Sequence, residues 1–122
     1  MIVAGFGFNS RAQPDSFAQA LAATGYDGTL DRIATPADKA DADPLCRFAQ
    51  MRALPVTAIP AAQIADTHTP TQSARSQSAR DTGSVAEAAA LAAAGPGAIL
   101  IVTRHISADR MATCAIAKGA DT

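Results

Sequence analysis

The stretch Ile2-Val-Ala-Gly-Phe-Gly-Phe-Asn-Ser-Arg-Ala constrains this chain more than any other. An apolar run with a β-branched start ends in two glycines, gives way to short polar residues, and takes up a helical pattern from Pro14. It reads as strand, tight loop and helix. A strand buried in a parallel sheet is almost continuously apolar, and glycine lets the backbone turn sharply and come close to a ligand. The first amides of the following helix, at the positive end of its dipole, favour an anionic group at the loop. The same glycines also permit tight packing of strand against helix, and both uses stand open on sequence alone.

The rest of the chain repeats the alternation. Phe17, Ala20, Leu21 and Thr24 form one face of a helix that begins near Pro14 and ends at Gly25. Thr29 to Ala34 predicts a second strand stopped by Pro36, with Asp31 and Arg32 unusual for a buried segment, so that it begins late or lies at an edge. Asp43 and Pro44 suit an N-cap and first residue of a helix carrying Leu45, Phe48, Ala49 and Arg52 on one side. Leu54 to Pro60 predicts a short third strand, and Ala61 to Ala65 about one helical turn. Periodicity then disappears from Asp66 to Gly83, a length that marks a functional or disordered loop. Ser84 followed by Glu87 has capping-box spacing, ahead of an alanine-rich helix that stops at Gly95-Pro-Gly. Ala98 to Thr103 predicts a strongly buried strand, Ser107 to Arg110 a turn, and Met111 to Ala117 a last strand. So short a connection allows only an antiparallel hairpin. The expected fold is an α/β three-layer sandwich with a mainly parallel sheet and an antiparallel C-terminal edge hairpin.

At 122 residues the chain, 1–122, is expected to form a single domain. It is 48% hydrophobic but 4% aromatic, with 31 alanines, so its core must be built from small side chains around a few larger ones. A net charge of −1 and a pI near 6.0 argue against a nucleic-acid or anionic-membrane surface. With no long apolar span and no basic leader, a cytoplasmic protein is expected. Cys46 and Cys114 are far apart in apolar surroundings and read as small buried hydrophobes.

Gly5 and Gly7 supply two glycines of the dinucleotide fingerprint, but Ser10 stands at the third position and Thr35-Pro36 where its acidic residue belongs. No Gly-Lys-Ser/Thr sequence is present to form an ATP-hydrolysing phosphate loop. Asn9, Ser10 and Arg11 offer an amide, a hydroxyl and a guanidinium suited to a carboxylate or phosphate. Arg75 and Arg80 approach a second helix start at Thr82, Gly83 and Ser84, which together make a carboxylate clamp or a solvated loop. Glu87 reads as the capping partner of Ser84 ahead of a general acid. Phe8 is the aromatic best placed to stack on a flat ligand, or else a packing residue. His68 and His105 lack Cys, Asp or Glu at ligand spacing, so neither a metal nor another cofactor is expected.

The chain resembles the cobalamin-biosynthesis family that comprises CobE and the C-terminal domain of CbiG. The resemblance rests on Val3-Ala-Gly-Phe-Gly, Ala34-Thr35 with Lys39, Gly83-Ser-Val-Ala-Glu-Ala-Ala-Ala-Leu, and Ala112-Thr-Cys-Ala-Ile-Ala-Lys, in the family's order and spacing. A start at the first strand resembles the free-standing CobE form. The resemblance implies a role in cobalamin biosynthesis, in the aerobic branch, with a precorrin or corrinoid tetrapyrrole as ligand and other cobalamin-pathway enzymes as further partners. It carries ligand contact to Arg11 and Ser84 and marks Lys39. CbiG-type proteins open a ring-A δ-lactone with release of acetaldehyde, but no residue here is assigned to catalysis. Departures are Asn9 and Ser10, where the family often has a basic pair, and Arg104, where it usually has a lysine.

Three functions follow, in descending order. The first is an accessory or carrier protein that holds the macrocycle's carboxylates between the two loops. The second is a lactone hydrolase with Glu87 or Asp81 as base and amides near Gly83 and Ser84 as oxyanion donors. The third is a nucleotide-binding or protein-interaction module.

Overall fold

A computed structural model describes residues 1–66 and 84–120. Among the described residues five strands form one sheet: β1 (Ile2–Phe8), β2 (Arg32–Pro36), β3 (Val56–Ile59), β4 (Ile99–Ile106) and β5 (Ala112–Lys118). Their order is β3-β2-β1-β5-β4, with β1, β2 and β3 parallel and β5 antiparallel to both β1 and β4. The described helices are α1 (Pro14–Ala23), α2 (Asp43–Arg52), α3 (Ala61–Asp66) and α4 (Ser84–Ala94), with a 3₁₀ turn at Ala37–Lys39. The expected α/β architecture, with a C-terminal antiparallel hairpin at one edge, is the observed one.

Alternation along β1 sorts the two faces. Ala4 and Phe6 lie buried with Phe17, Leu21, Leu45 and Phe48 of α1 and α2, and the half-buried Phe8 packs on the same cluster. Val3 instead joins Ala34, Ile59 and Ala89 on the α4 side. The four phenylalanines of the first face cluster together: the Phe6 and Phe17 rings meet edge to face 5.4 Å apart at 87°, as do Phe8 and Phe17 5.0 Å apart at 81°, while Phe17 and Phe48 are tilted at 35°. Each buried ring contributes roughly 1.5–3 kcal/mol. The second face is assembled from alanines, so helix and sheet approach more closely there.

Several boundaries differ from expectation for local reasons. The second strand begins at Arg32 and runs through Pro36, whose missing N–H is tolerated at a strand's last position. Asp31 stands before the strand and accepts the Ile2 amide. Helix α2 is capped by Ala42, because Asp43 sits inside the helix and pairs with Arg47 at 2.8 Å. The apolar β4, expected to be strongly buried, is the sheet edge, with Ile99 60% exposed and Ile106 44%. The buried member of the hairpin is β5, where Cys114, Ala115, Ile116 and Ala117 lie fully inside. Burial pushes the Cys114 thiol far above its usual pKa, and Cys46 is half-buried. Both cysteines are free thiols. No described helix is long and apolar enough to cross a membrane.

Candidate functional site at the carboxyl edge of the sheet

Helices α1 and α2 cover one face and α4 the other, so the sheet changes hands at β1, between β2 and β5. In open α/β sheets a ligand crevice forms at such a switch, outside the carboxyl ends of the parallel strands. Phe8 ends β1 at this point, and the loop from Asn9 to Gln13 leaves it for α1.

Lys39 is brought to the same edge by the turn after β2. Its Nζ donates to the Phe8 carbonyl and stands 5.0 Å from the centre of the Phe8 ring. Phe8 therefore has one edge-to-face partner in Phe17 and a cation over its ring. Asn9, Ser10 and Arg11 are exposed. Asn9 Oδ1 accepts the Arg11 amide at 2.9 Å, a local turn bond, and the Asn9 amide extends the ladder to the Met111 carbonyl at 3.1 Å. Neither Lys39 nor Arg11 forms an ion pair among the described residues.

The first turn of α4 reaches this edge from the opposite face. A Cβ placed on Gly7 would lie 3.0 Å from Thr113 Oγ1 and 3.7 Å from Val85 Cγ1. At Gly5 the approach is much closer, 2.1 Å to the Ala86 carbonyl oxygen and 2.6 Å to the Ala90 nitrogen. Of the two uses left open for these glycines, helix packing accounts for Gly5, and no space for a ligand remains over it. Gly7 lies nearer the strand end, between the α4 start and Thr113.

Glu87 is fully buried on α4, and its Oε2 accepts the Arg104 amide at 3.0 Å. That amide falls where β4 and β5 lose register between Val102 and His105, so the carboxylate supplies a partner that the ladder does not. The spacing that suggested a cap for Ser84 gives no hint of this contact across the sheet. The backbone of Ser84 opens α4. Arg80, Thr82 and Gly83, the other members of the second loop, lie outside the described residues, as do Asp81, Arg75 and His68.

At the start of α1 a carboxylate of the protein itself engages the first turn through the Ser16 side chain. Ser16 Oγ accepts the Gln13 amide at 3.0 Å and donates to Asp109 Oδ2 at 2.6 Å. Asp109, in the β4–β5 turn, was not singled out from the sequence. The Ser107 hydroxyl, then the Ser16 hydroxyl and the Met111 amide hold its carboxyl below the usual aspartate pKa. A Ser-x-Asp turn, with Ser107 two residues before it, is the one local signal that could have marked this carboxylate as engaged.

Among the described residues no three His, Cys, Asp or Glu side chains gather as a metal site. Thr35, in the place of a ribose-binding acid, is buried and donates to the Phe6 carbonyl at 3.0 Å. The edge thus gathers Phe8, Asn9, Ser10, Arg11 and Lys39, with Gly7 and the α4 start behind them. Gly5 and Glu87 lie inside the α4 interface.

Residues 2–117 match the family described as cobalamin synthesis G C-terminus. Among solved structures the chain is similar to CobE, a protein from the cobalamin biosynthetic pathway, with a TM-score of 0.79 and 28% identity over 96% of this chain and 89% of that one. It is also similar to cobalamin biosynthesis protein chiG from Agrobacterium tumefaciens, with a TM-score of 0.74 and 34% identity over 99% and 100% of the two chains. A cobalamin biosynthesis protein G homologue from Sulfolobus solfataricus shares the fold, with a TM-score of 0.69 and 20% identity, over 95% of this chain and 36% of that one. No curated protein sequence matches.

Proposed function

This chain belongs to the cobalamin synthesis G C-terminus family, a family of cobalamin biosynthesis, and we propose that it binds a precorrin or corrinoid tetrapyrrole as an accessory or carrier protein. The observation that carries the reading is Lys39 held on the Phe8 carbonyl, with the exposed Arg11 in the loop that follows Phe8, two cations without a carboxylate partner among the described residues where the parallel strands end. A tetrapyrrole bearing acetate and propionate arms presents several carboxylates to such a rim. One arm would replace the Phe8 carbonyl on Lys39, another would meet Arg11, and Asn9 and Ser10 would supply neutral donors. The α4 start adds the positive end of a helix dipole on the opposite face, next to Ser84. A cytoplasmic setting and contact with other enzymes of the pathway belong to the same reading.

Lactone hydrolysis with Glu87 as the base is disfavoured by the position of that residue. A general base must reach water at the scissile carbonyl, whereas Glu87 is fully buried and bonded to the Arg104 amide. A nucleotide module is disfavoured because the backbone of α4 closes over Gly5.

The test is a visible-absorbance titration with hydrogenobyrinic acid, a corrinoid polycarboxylic acid, at two salt concentrations. Saturable binding that weakens with salt and falls roughly tenfold or more in Arg11→Ala and Lys39→Ala is expected, since a charge-assisted hydrogen bond contributes about 1.5–3 kcal/mol. Absence of any spectral change, or binding indifferent to salt and to both substitutions, overturns the proposal.

A further inference from the structure

We infer that Asp109 is a positioning residue for Arg11, acting through Met111 and Asn9, an inference that rests on the binding reading above for its functional consequence. The connection is a continuous chain of hydrogen bonds. Asp109 Oδ2 accepts from Ser16 Oγ at 2.6 Å, and Oδ1 accepts from Ser107 Oγ at 2.5 Å and from the Met111 amide at 3.0 Å. The Asp109 amide donates to Gln19 Oε1 at 2.9 Å, which ties the turn to α1 a second time. Met111 then holds Asn9: its carbonyl accepts the Asn9 amide at 3.1 Å and its Sδ accepts from Asn9 Nδ2 at 3.3 Å. Asn9 in turn accepts the Arg11 amide on its side chain and the Ala12 amide on its carbonyl.

The loop that carries Arg11 is therefore fixed at both ends by one carboxylate. On its far side Asp109 grips the first turn of α1 through the buried Ser16, and on its near side it orders the turn against which Asn9 lies. A short charged acceptor suits three converging donors beside a helix N-terminus, where it is also favoured by the dipole. Arg11 itself has an exposed, long side chain, and the direction in which it leaves the loop is set by its backbone. Loss of the carboxylate leaves the guanidinium present but no longer aimed, which costs affinity through lost preorganisation.

The experiment is a double-mutant cycle in hydrogenobyrinic acid binding, with wild type, Asp109→Ala, Arg11→Ala and the double variant, each checked for folding by circular dichroism. Positioning predicts that Asp109→Ala weakens binding about tenfold in the wild-type background and has no further effect when Arg11 is absent. Asp109→Asn, which keeps an acceptor for the Met111 amide, restores part of the affinity and replaces Asp109→Ala in the cycle where that variant does not fold. Equal losses in both backgrounds would make Asp109 a general stabiliser and overturn the inference. Amide hydrogen exchange on the same variants reads the clamp without ligand: exchange at Asn9, Arg11 and Ala12 rises in Asp109→Ala while Ile33, bonded to the Pro55 carbonyl, is unchanged. Unaltered exchange at these three amides refutes the clamp. A wild type that binds nothing refutes the binding reading and leaves the clamp to be decided by exchange alone.

Discussion

Gly5 and Ala86 touch backbone to backbone: a Cβ on Gly5 would stand 2.1 Å from the Ala86 carbonyl oxygen, with the Ala90 nitrogen 2.6 Å away. Neither obstacle is the flexible end of a side chain, so Gly5→Ala must move α4 off the sheet or bend β1. Overpacking of a core costs typically 1–3 kcal/mol and more where backbone has to shift, so a loss of at least about 3 kcal/mol is predicted. Urea denaturation measures it. Gly7→Ala is the internal comparison: its nearest obstacle is the Thr113 hydroxyl at 3.0 Å, which can rotate, and its cost should be under about half that of Gly5→Ala.

Glu87 provides the second prediction. Its carboxylate is buried and accepts the Arg104 amide, so Glu87→Ala leaves an interior donor without that partner. An orphaned buried donor costs roughly 1–3 kcal/mol, to which lost packing adds. Glu87→Gln keeps an oxygen in place and should lose less. Equal denaturation midpoints for wild type and Glu87→Ala would show that the contact does not contribute to stability.

Asp109 gives the fold an acid-sensitive contact. Its pKa is lowered in the folded chain, chiefly by the Ser107 hydroxyl and then by the Ser16 hydroxyl. Its contribution is complete above the ordinary aspartate range and is lost as pH falls through the lower folded-state value. The melting temperature of wild type should therefore fall on acidification more than that of Asp109→Asn, with the two curves converging at the acid end. Parallel curves across the acid limb would refute the linkage.

A fourth prediction concerns α2, which ends on Ala53 at φ 56°, the left-handed conformation that glycine adopts without a Cβ penalty. Ala53→Gly should stabilise the chain by about 0.5–1 kcal/mol, read as a rise in melting temperature. Destabilisation would mean that the Ala53 methyl makes contacts outweighing the backbone strain.

Local pattern made much of the fold legible. The apolar run into Gly5 and Gly7, the Phe17, Ala20 and Leu21 stripe, and the short turn near Ser107 each depend on residues close in sequence, and each led to the right element. What local pattern does not encode is which strand of a hairpin lies inside. The isoleucine-rich β4 is the edge, and the alanine-rich β5 is buried because α1 and α4 close over it. The same limit applies to the site. Asn9 to Arg11 are visible as polar residues after a strand and Lys39 is marked by the family resemblance, whereas the bond of Asp109 to Ser16 spans 93 residues. The Glu87 contact to Arg104 depends on an irregularity in the β4–β5 ladder that has no local signature.

The proposed carboxylate-binding rim where β1 ends is tested most directly by following backbone amide resonances of the ¹⁵N-labelled protein as hydrogenobyrinic acid is added. Saturable shifts concentrated at Asn9 to Ala12, at Lys39 and at Val85 are expected, with little change at Gly95 to Ala98 on the opposite end of α4. Shifts centred on Gly95 to Ala98, or none at saturating ligand, would contradict it.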